Sequence, residues 1–230
     1  MQRYRYLLFD ADGTLFDFDR SEREALKRAF EQHHLPFDEK IHFLYHVINQ
    51  SLWEELEQGF IDKDRLQIER FRRLLDQTGL MEDPEKINET YLAALGQCNF
   101  LMDGALQVCA ELRKDHHLAI ITNGLARVQY PRFYQSAIAA YFSRLFVSEE
   151  IGHQKPKREF FDRVLQNLQI KDKSQVLVIG DSLTADIEGG LRAGLDTCWY
   201  NPERRPKRED ICPTYEILLL EDILTLTGRQ

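Results

Sequence analysis

Short apolar runs of strand length, each closed by polar residues and separated by helix-like segments, restrict the fold of this chain more than any other feature. They are Tyr6-Leu7-Leu8-Phe9, Leu118-Ala119-Ile120-Ile121, Leu145-Phe146-Val147, Val176-Leu177-Val178-Ile179 and Thr197-Cys198-Trp199-Tyr200. The first is too short for two helical turns and reads as a buried strand. Buried strands alternating with helices imply an α/β fold, a parallel sheet with helices on both faces. In such a sheet, ligands bind beyond the carboxyl ends of the strands at a topological switch point. The residues closing each run are therefore the informative ones.

The first run closes in Asp10-Ala11-Asp12-Gly13. If the backbone stays extended, the two carboxylates lean to the same side, and Gly13 permits a sharp turn away. Alone, this stretch fits a strand followed by a polar turn. The second run, however, closes in Thr122-Asn123-Gly124 and the fourth in Gly180-Asp181-Ser182, with Asp186 shortly after and Lys155-Pro156 between the third and fourth. Pro156 suits the first turn of a helix whose apolar face is Phe161, Val164, Leu165 and Leu168, which puts Lys155 near a helix N-terminus. Gathered on one sheet edge in this order, these residues read as one site.

Residues 20–98 carry no strand pattern. Phe16-Asp17-Phe18-Asp19 reads as a linker, and Ser21 with Glu24 three residues later as a capping box. Apolar faces follow at Leu26, Ala29, Phe30 and His33 and at Ile41, Leu44, Tyr45 and Ile48, with further helices over 62–75 and 84–95, the last opened by Pro84. The expected organisation is a core of residues 1–16 and 100–230, interrupted by a helical cap over 17–99 that covers the aspartates as a lid. Within the cap, Trp53 either stacks on a base or packs between cap and core. Asn49 and Gln50 either read base edges or are solvated.

A net charge of −8, from 38 acidic and 30 basic residues, argues against a polymeric nucleic-acid or bilayer-surface partner, whose footprint is basic. The basic run Arg204-Arg205-Pro206-Lys207-Arg208 reads as a solvated loop. The four cysteines are dispersed without a Cys-x-x-Cys pair and read as reduced, mostly core residues. The N-terminus enters a strand at once, and no apolar run approaches membrane-spanning length, so a soluble cytoplasmic protein is expected. Oligomeric state leaves no mark in the sequence.

A phosphate monoester dianion meeting Asp10, Asp12 and Asp181 would be repelled. Unit charges about 4 Å apart at an effective dielectric of about 20 interact by roughly 4 kcal/mol. An oxygen-only carboxylate cluster suits Mg²⁺, and Lys155 adds a fixed positive charge. The Thr122 hydroxyl and the Asn123 and Gly124 backbone N–H groups are placed to hold phosphoryl oxygens. Asp10 is the candidate nucleophile, forming an acyl-phosphate. Asp12 then serves as general acid towards the leaving alkoxide and as base towards water.

These motifs, Asp10-Ala11-Asp12-Gly13-Thr14-Leu15, Thr122-Asn123-Gly124, Lys155-Pro156 and Gly180-Asp181-Ser182-x-x-x-Asp186, resemble the four ordered motifs of the haloacid dehalogenase superfamily of phosphatases. The resemblance implies a Rossmannoid core with an inserted helical cap. It also implies Mg²⁺ held by Asp10, the Asp12 backbone carbonyl and Asp181, with Asp186 supporting directly or through water. Asn49-Gln50-Ser51-Leu52-Trp53, Val147-Ser148-Glu149-Glu150-Ile151-Gly152 and Gly189-Gly190-x-x-Ala193-Gly194-Leu195-x-Thr197-Cys198-Trp199 are in turn similar to YjjG-type pyrimidine 5′-nucleotidases. That similarity implies hydrolysis of pyrimidine nucleoside monophosphates. A sugar-phosphate phosphatase or phosphomutase, a dehalogenase, and a catalytically silent ligand-binding protein are the alternatives. An acid at Asp12 weighs against a dehalogenase, because halide leaves without a proton.

Overall fold

The computed structural model describes residues 3–228. Six strands, β1 (Tyr6–Phe9), β2 (His117–Thr122), β3 (Phe142–Val147), β4 (Val176–Gly180), β5 (Asp196–Tyr200) and β6 (Tyr215–Ile217), form one sheet in the order β3-β2-β1-β4-β5-β6. Every neighbouring pair is parallel. The first five are the apolar runs read from sequence. β6 has only three residues, one of them Glu216, and gains its strand character from pairing with β5 at the sheet edge.

Alternation along β1 shows how the sheet is covered. Leu7 and Phe9 pack with Ala105, Val108 and Cys109 of α5 (Ala105–Leu112) and Ile223 of α10 (Asp222–Leu226). Leu8 points to the other face, towards Phe160, Phe161, Val164 and Leu165 of α8 (Arg158–Asn167). The chain winds outwards from β1 to β3 and returns to the opposite side of β1 as β4. This reversal is the switch point at which such sheets open a crevice.

The helical block consists of α1 (Phe18–Gln32), α2 (Glu39–Glu57), α3 (Lys63–Thr78) and α4 (Pro84–Leu95). All four are opened by an aspartate whose carboxylate accepts a first-turn backbone N–H: Asp17, Asp38, Asp62 and Asp83. This corrects the reading of residues 16–19 as linker and of Ser21 as cap. Asp17 accepts from the Arg20 N–H at 2.9 Å, and Ser21 lies a turn inside, its hydroxyl donating to the Asp17 carbonyl at 2.6 Å. Asp17 has both a free carboxylate and an extended backbone (ψ 90°), which a capping position requires. The block has its own core, centred on the mutually packed rings of Tyr45, Phe71 and Tyr91 at 5.3–5.4 Å centroid separation. Leu125 and Val128, at the start of α6 (Ala126–Tyr134), join that core and dock it on the sheet domain.

Two chain crossings connect the block to the sheet, and they are hydrogen-bonded to each other. Met102 N–H donates to the Leu15 carbonyl at 2.9 Å and Asp17 N–H to the Phe100 carbonyl at 3.0 Å, around an antiparallel Phe16–Leu101 bridge. No helix among the described residues is long and apolar enough to cross a membrane.

Truncating Phe71, which is fully buried between Tyr45 and Tyr91, is expected to cost about 3–5 kcal/mol. The shift of the urea midpoint of Phe71→Ala checks this.

Candidate active site

β1 delivers Asp10 to the switch point, where its backbone N–H is fixed by the Ile179 carbonyl at 2.8 Å. The Lys155 ammonium lies beneath it, buried, and donates to Asp10 Oδ1 and Asp186 Oδ1 at 2.6 Å each and to the Ile121 carbonyl at 3.0 Å. An ammonium has three donors, and all are used. Lys155 is itself held by Asn123, whose Oδ1 accepts its backbone N–H at 2.9 Å and whose Nδ2 donates to its carbonyl at 2.8 Å. That clamp corrects the expected helix start. Both backbone groups of Lys155 bond to the loop after β2, so α8 begins only at Arg158, and Pro156 lies in the preceding turn, joined to Lys155 by a cis peptide bond.

Two glycines make room for the other carboxylates. A Cβ at Gly180 would lie 2.2 Å from Asp186 Oδ2, so the end of β4 must be glycine for Asp186 to fold back over it. Gly13, at φ +83°, turns the chain where a Cβ would lie 2.9 Å from the Asp181 carboxylate. Asp186 is further tied by the Ser182 N–H at 3.1 Å. The Asp181 carbonyl accepts from Trp199 Nε1 at 2.9 Å and from Arg205 at 2.6 Å. One carboxylate oxygen each from Asp10, Asp181 and Asp186 then lies within 4.8 Å of the others.

The electrostatics test whether this cluster fits a cation. Burial raises Asp10 well above the ordinary carboxylate range, Lys155 opposes the rise, and Asp186 and Asp181 add to it. Asp181 is pushed up to about 7 by burial and by Asp186, against the pull of Arg205 and Lys155. Burial alone would lower Lys155, but Asp10 and Asp186 raise it above its ordinary value. Asp10 and Asp181 thus resist ionisation beside the Asp186 carboxylate, and a hard divalent cation on an all-oxygen donor set relieves that conflict. The residues present fit Mg²⁺.

Asp12 departs from the expected arrangement. The chain bends at Ala11, so the extended alternation that would align Asp12 with Asp10 is lost. The Asp12 carboxylate instead pairs with the fully buried Arg132 and accepts from Gln129 Nε2 at 2.6 Å. Gln129 reaches it across Gly124, where a Cβ would lie 2.3 Å from Gln129 Nε2. Thr122 is buried beside these residues, its Oγ1 accepting the Gly124 N–H at 3.0 Å.

A family model for haloacid dehalogenase-like hydrolases matches residues 4–194. A curated relative, YfnB of Bacillus subtilis, named as a HAD-hydrolase, is 41% identical over 97% of this chain and 95% of its own. The chain belongs to the haloacid dehalogenase-like hydrolases. Two relatives are named pyrimidine 5′-nucleotidases: PynA of Streptococcus pneumoniae, 36% identical over 96% of this chain and 94% of its own, and YjjG of Escherichia coli, 33% identical over 96% of each. The crystal structure of YfnB bound to magnesium superposes with a TM-score of 0.94 at 40% identity, covering 99% of this chain and all of that one.

In this haloacid dehalogenase-like hydrolase, the carboxylates form the floor of a cleft of about 770 Å³ roofed by α2, which presents Asn49, Gln50 and Trp53 to it. Trp53 both lines the cleft and packs on the helical core. Asn49 answers to neither expectation: it is buried, with Nδ2 donating to Glu22 at 2.8 Å and Oδ1 accepting from Arg70 at 3.4 Å. Arg205, expected in a solvated loop, reaches within 3.5 Å of Asp181 Oδ2 at the cleft mouth. Glu57, at the end of α2, accepts from Thr184 Oγ1 at 2.7 Å, and Lys63 donates to Ser148 Oγ at 2.8 Å, so the roof is hydrogen-bonded to the floor. Arg132, Gln129, Glu57 and Thr184 went unread in the sequence. Nothing local distinguishes them from ordinary helix residues, and only the basic run flagged Arg205.

Lys155→Met leaves Asp10 and Asp186 buried without their counter-charge. A loss of about 3–5 kcal/mol is expected, read as a lower urea midpoint at neutral pH.

Proposed function

We propose that the protein is a Mg²⁺-dependent phosphomonoesterase acting on pyrimidine nucleoside 5′-monophosphates. The observation that carries the hydrolytic part is the placement of Asp10 at the switch point with Lys155 pinning its Oδ1. Oδ2 has no hydrogen-bond partner among the described residues and is available as nucleophile. The substrate class rests on the similarity to PynA and YjjG, which extends over 96% of the chain and so includes the helical block. We assign residues 17–99 to that block as a cap and 1–16 with 100–230 to the catalytic core.

Bound among Asp10, the Asp12 carbonyl, Asp181 and Asp186, Mg²⁺ supplies the positive charge that admits a phosphate dianion to a carboxylate site. Asp10 Oδ2 attacks phosphorus, the bond to the ester oxygen breaks, and Asp12, which must leave Arg132 and Gln129 to carry a proton, gives that proton to the departing nucleoside alkoxide. Water then attacks the aspartyl-phosphate, Asp12 takes its proton, and inorganic phosphate leaves with Asp10 regenerated. The Thr122 hydroxyl and the backbone N–H of Asn123 hold the phosphoryl oxygens, while the Gly124 N–H, expected to join them, is spent on orienting Thr122 Oγ1. The Asn123 side chain is spent on Lys155. Trp53 offers the leaving nucleoside a stacking surface worth about 1–3 kcal/mol.

A phosphate-release screen across pyrimidine and purine monophosphates, ribose 5-phosphate and glyceraldehyde 3-phosphate tests the reading. Uridine and thymidine monophosphates are expected to lead, and a preference for the sugar phosphates overturns the substrate assignment. Asp10→Asn is expected to abolish turnover, and Asp12→Asn to lower kcat by about 10²–10⁴-fold with substrate binding retained. EDTA is expected to remove activity and Mg²⁺ to restore it. At a Mg²⁺ concentration about 100 times its Kd, the fold gains about 2.7 kcal/mol, visible as a raised Tm.

A further inference from the structure

Behind the cleft roof lies a buried acid that the proposed chemistry does not use. Glu22 of α1 is fully buried. Its Oε2 accepts from Asn49 Nδ2 at 2.8 Å and its Oε1 from His46 Nδ1 at 2.8 Å. Among the described residues no lysine or arginine is within ion-pair distance of it. The only other candidate cation, His42, stands 3.9 Å away and makes no hydrogen bond to it. A buried carboxylate must be paired with a cation or become neutral. His46 is the partner in contact, and a carboxylate can only accept, so Nδ1 is the donor.

The Nε2 edge of His46 is then the informative one. The imidazole is about a quarter exposed, lines the cleft, and has no hydrogen-bond partner for Nε2 among the described residues. On α2, His46, Gln50, Trp53 and Glu57 follow one another at spacings of three and four and share the cleft face. Glu57 meets the floor at Thr184, and His46 lies about three turns away, at the leaving-group end. The groups facing His46 are Glu22 and Asp19 on α1, His42 on its own helix and Glu203 on the loop after β5. The hydrogen bond to Glu22 raises the imidazole above its ordinary value, partial burial opposes this, and Asp19 and Glu203 add to the rise.

The same end of the cleft carries Asp19 and Glu203, which act on His46 and disfavour a second full negative charge on the substrate. A charged donor set among acids selects a neutral acceptor. We propose that His46, oriented by Glu22, determines specificity by donating from Nε2 to an uncharged oxygen of the leaving group, as a base carbonyl or a sugar hydroxyl offers. Asn49 is a positioning residue, bracing Glu22 against Arg70 and, through Arg70 Nη2, Asn88 at 2.8 Å.

The inference rests on the phosphomonoesterase reading, and the test separates the two. kcat and KM are measured for uridine monophosphate and ribose 5-phosphate with the wild type, His46→Ala, His46→Gln and Glu22→Gln. His46→Ala is expected to raise KM for uridine monophosphate about tenfold with kcat within about twofold, the value of one charged hydrogen bond. His46→Gln, which keeps an uncharged donor, recovers part of that loss. An equal loss on ribose 5-phosphate identifies a sugar hydroxyl as the acceptor, and a loss confined to uridine monophosphate identifies a base carbonyl. In the wild type, KM rises as pH passes through the His46 pKa. In Glu22→Gln the rise moves to lower pH, while the substrate's own titration is common to both proteins. A KM unchanged in His46→Ala overturns the inference. So does a His46 imidazole titration, followed by NMR in the free protein, that is the same in wild type and Glu22→Gln. Should the wild type turn over neither substrate, the phosphomonoesterase reading fails, while the NMR comparison still decides the Glu22–His46 pair.

Discussion

The buried ammonium of Lys155 is the contact on which the rest of the site depends. It joins the end of β1, through Asp10, to the segment after β4, through Asp186, and to the end of β2, through the Ile121 carbonyl. Three separate pieces of chain are thereby held at one point of the sheet edge. Removing such a charge from water costs several kcal/mol unless every donor is met, and here every donor is. One ammonium shared by Asp10 and Asp186 beside a third carboxylate, Asp181, leaves the cluster with surplus negative charge, and that surplus is what makes the site one for a cation.

A second layer of order sits around Asp12. Arg132 is fully buried, stacks over Phe16 at 4.5 Å, and bonds Asp12 on one side and Ser21 Oγ, at 3.3 Å, on the other. It therefore links Asp12, the acid of the proposed reaction, to the first helix of the helical block. Gln129 completes the cradle, and Gly124 lets it through. The loop that binds phosphoryl oxygens in the proposed reaction thus also governs how closely a helix can approach the proton-transfer residue.

The parts legible in the sequence were those that follow from local pattern. Continuous apolar runs marked five of the six strands, because strands covered on both faces have no polar side to show. The order of polar residues at their ends placed Asp10, Thr122, Lys155 and Asp181 around one crevice, as the structure has them. Polar contacts between distant segments were not legible. Arg132 meets Asp12 and Asn49 meets Glu22 only through the fold, and an arginine or asparagine in a helix looks solvated until its partner is known. Helix starts were misjudged where two capping residues competed, as at Asp17 and Ser21, or where a side chain took over the backbone, as Asn123 does at Lys155.

The paired crossings at Phe16 and Leu101 bear on how such a molecule changes over evolution. Because the two ends of the helical block lie side by side, joined by backbone hydrogen bonds independent of side-chain identity, the sheet meets the insertion as it would meet a hairpin loop. Its length is not sensed by the backbone pairing of the strands on either side. A block of different size or shape spliced at the same seam has to replace the contacts of Ser21 with Arg132 and of Glu57 with Thr184, but not the pairing of β1. On the proposed reading, the seam separates the residues that break a bond from the block that admits the substrate, and lets the two be inherited apart.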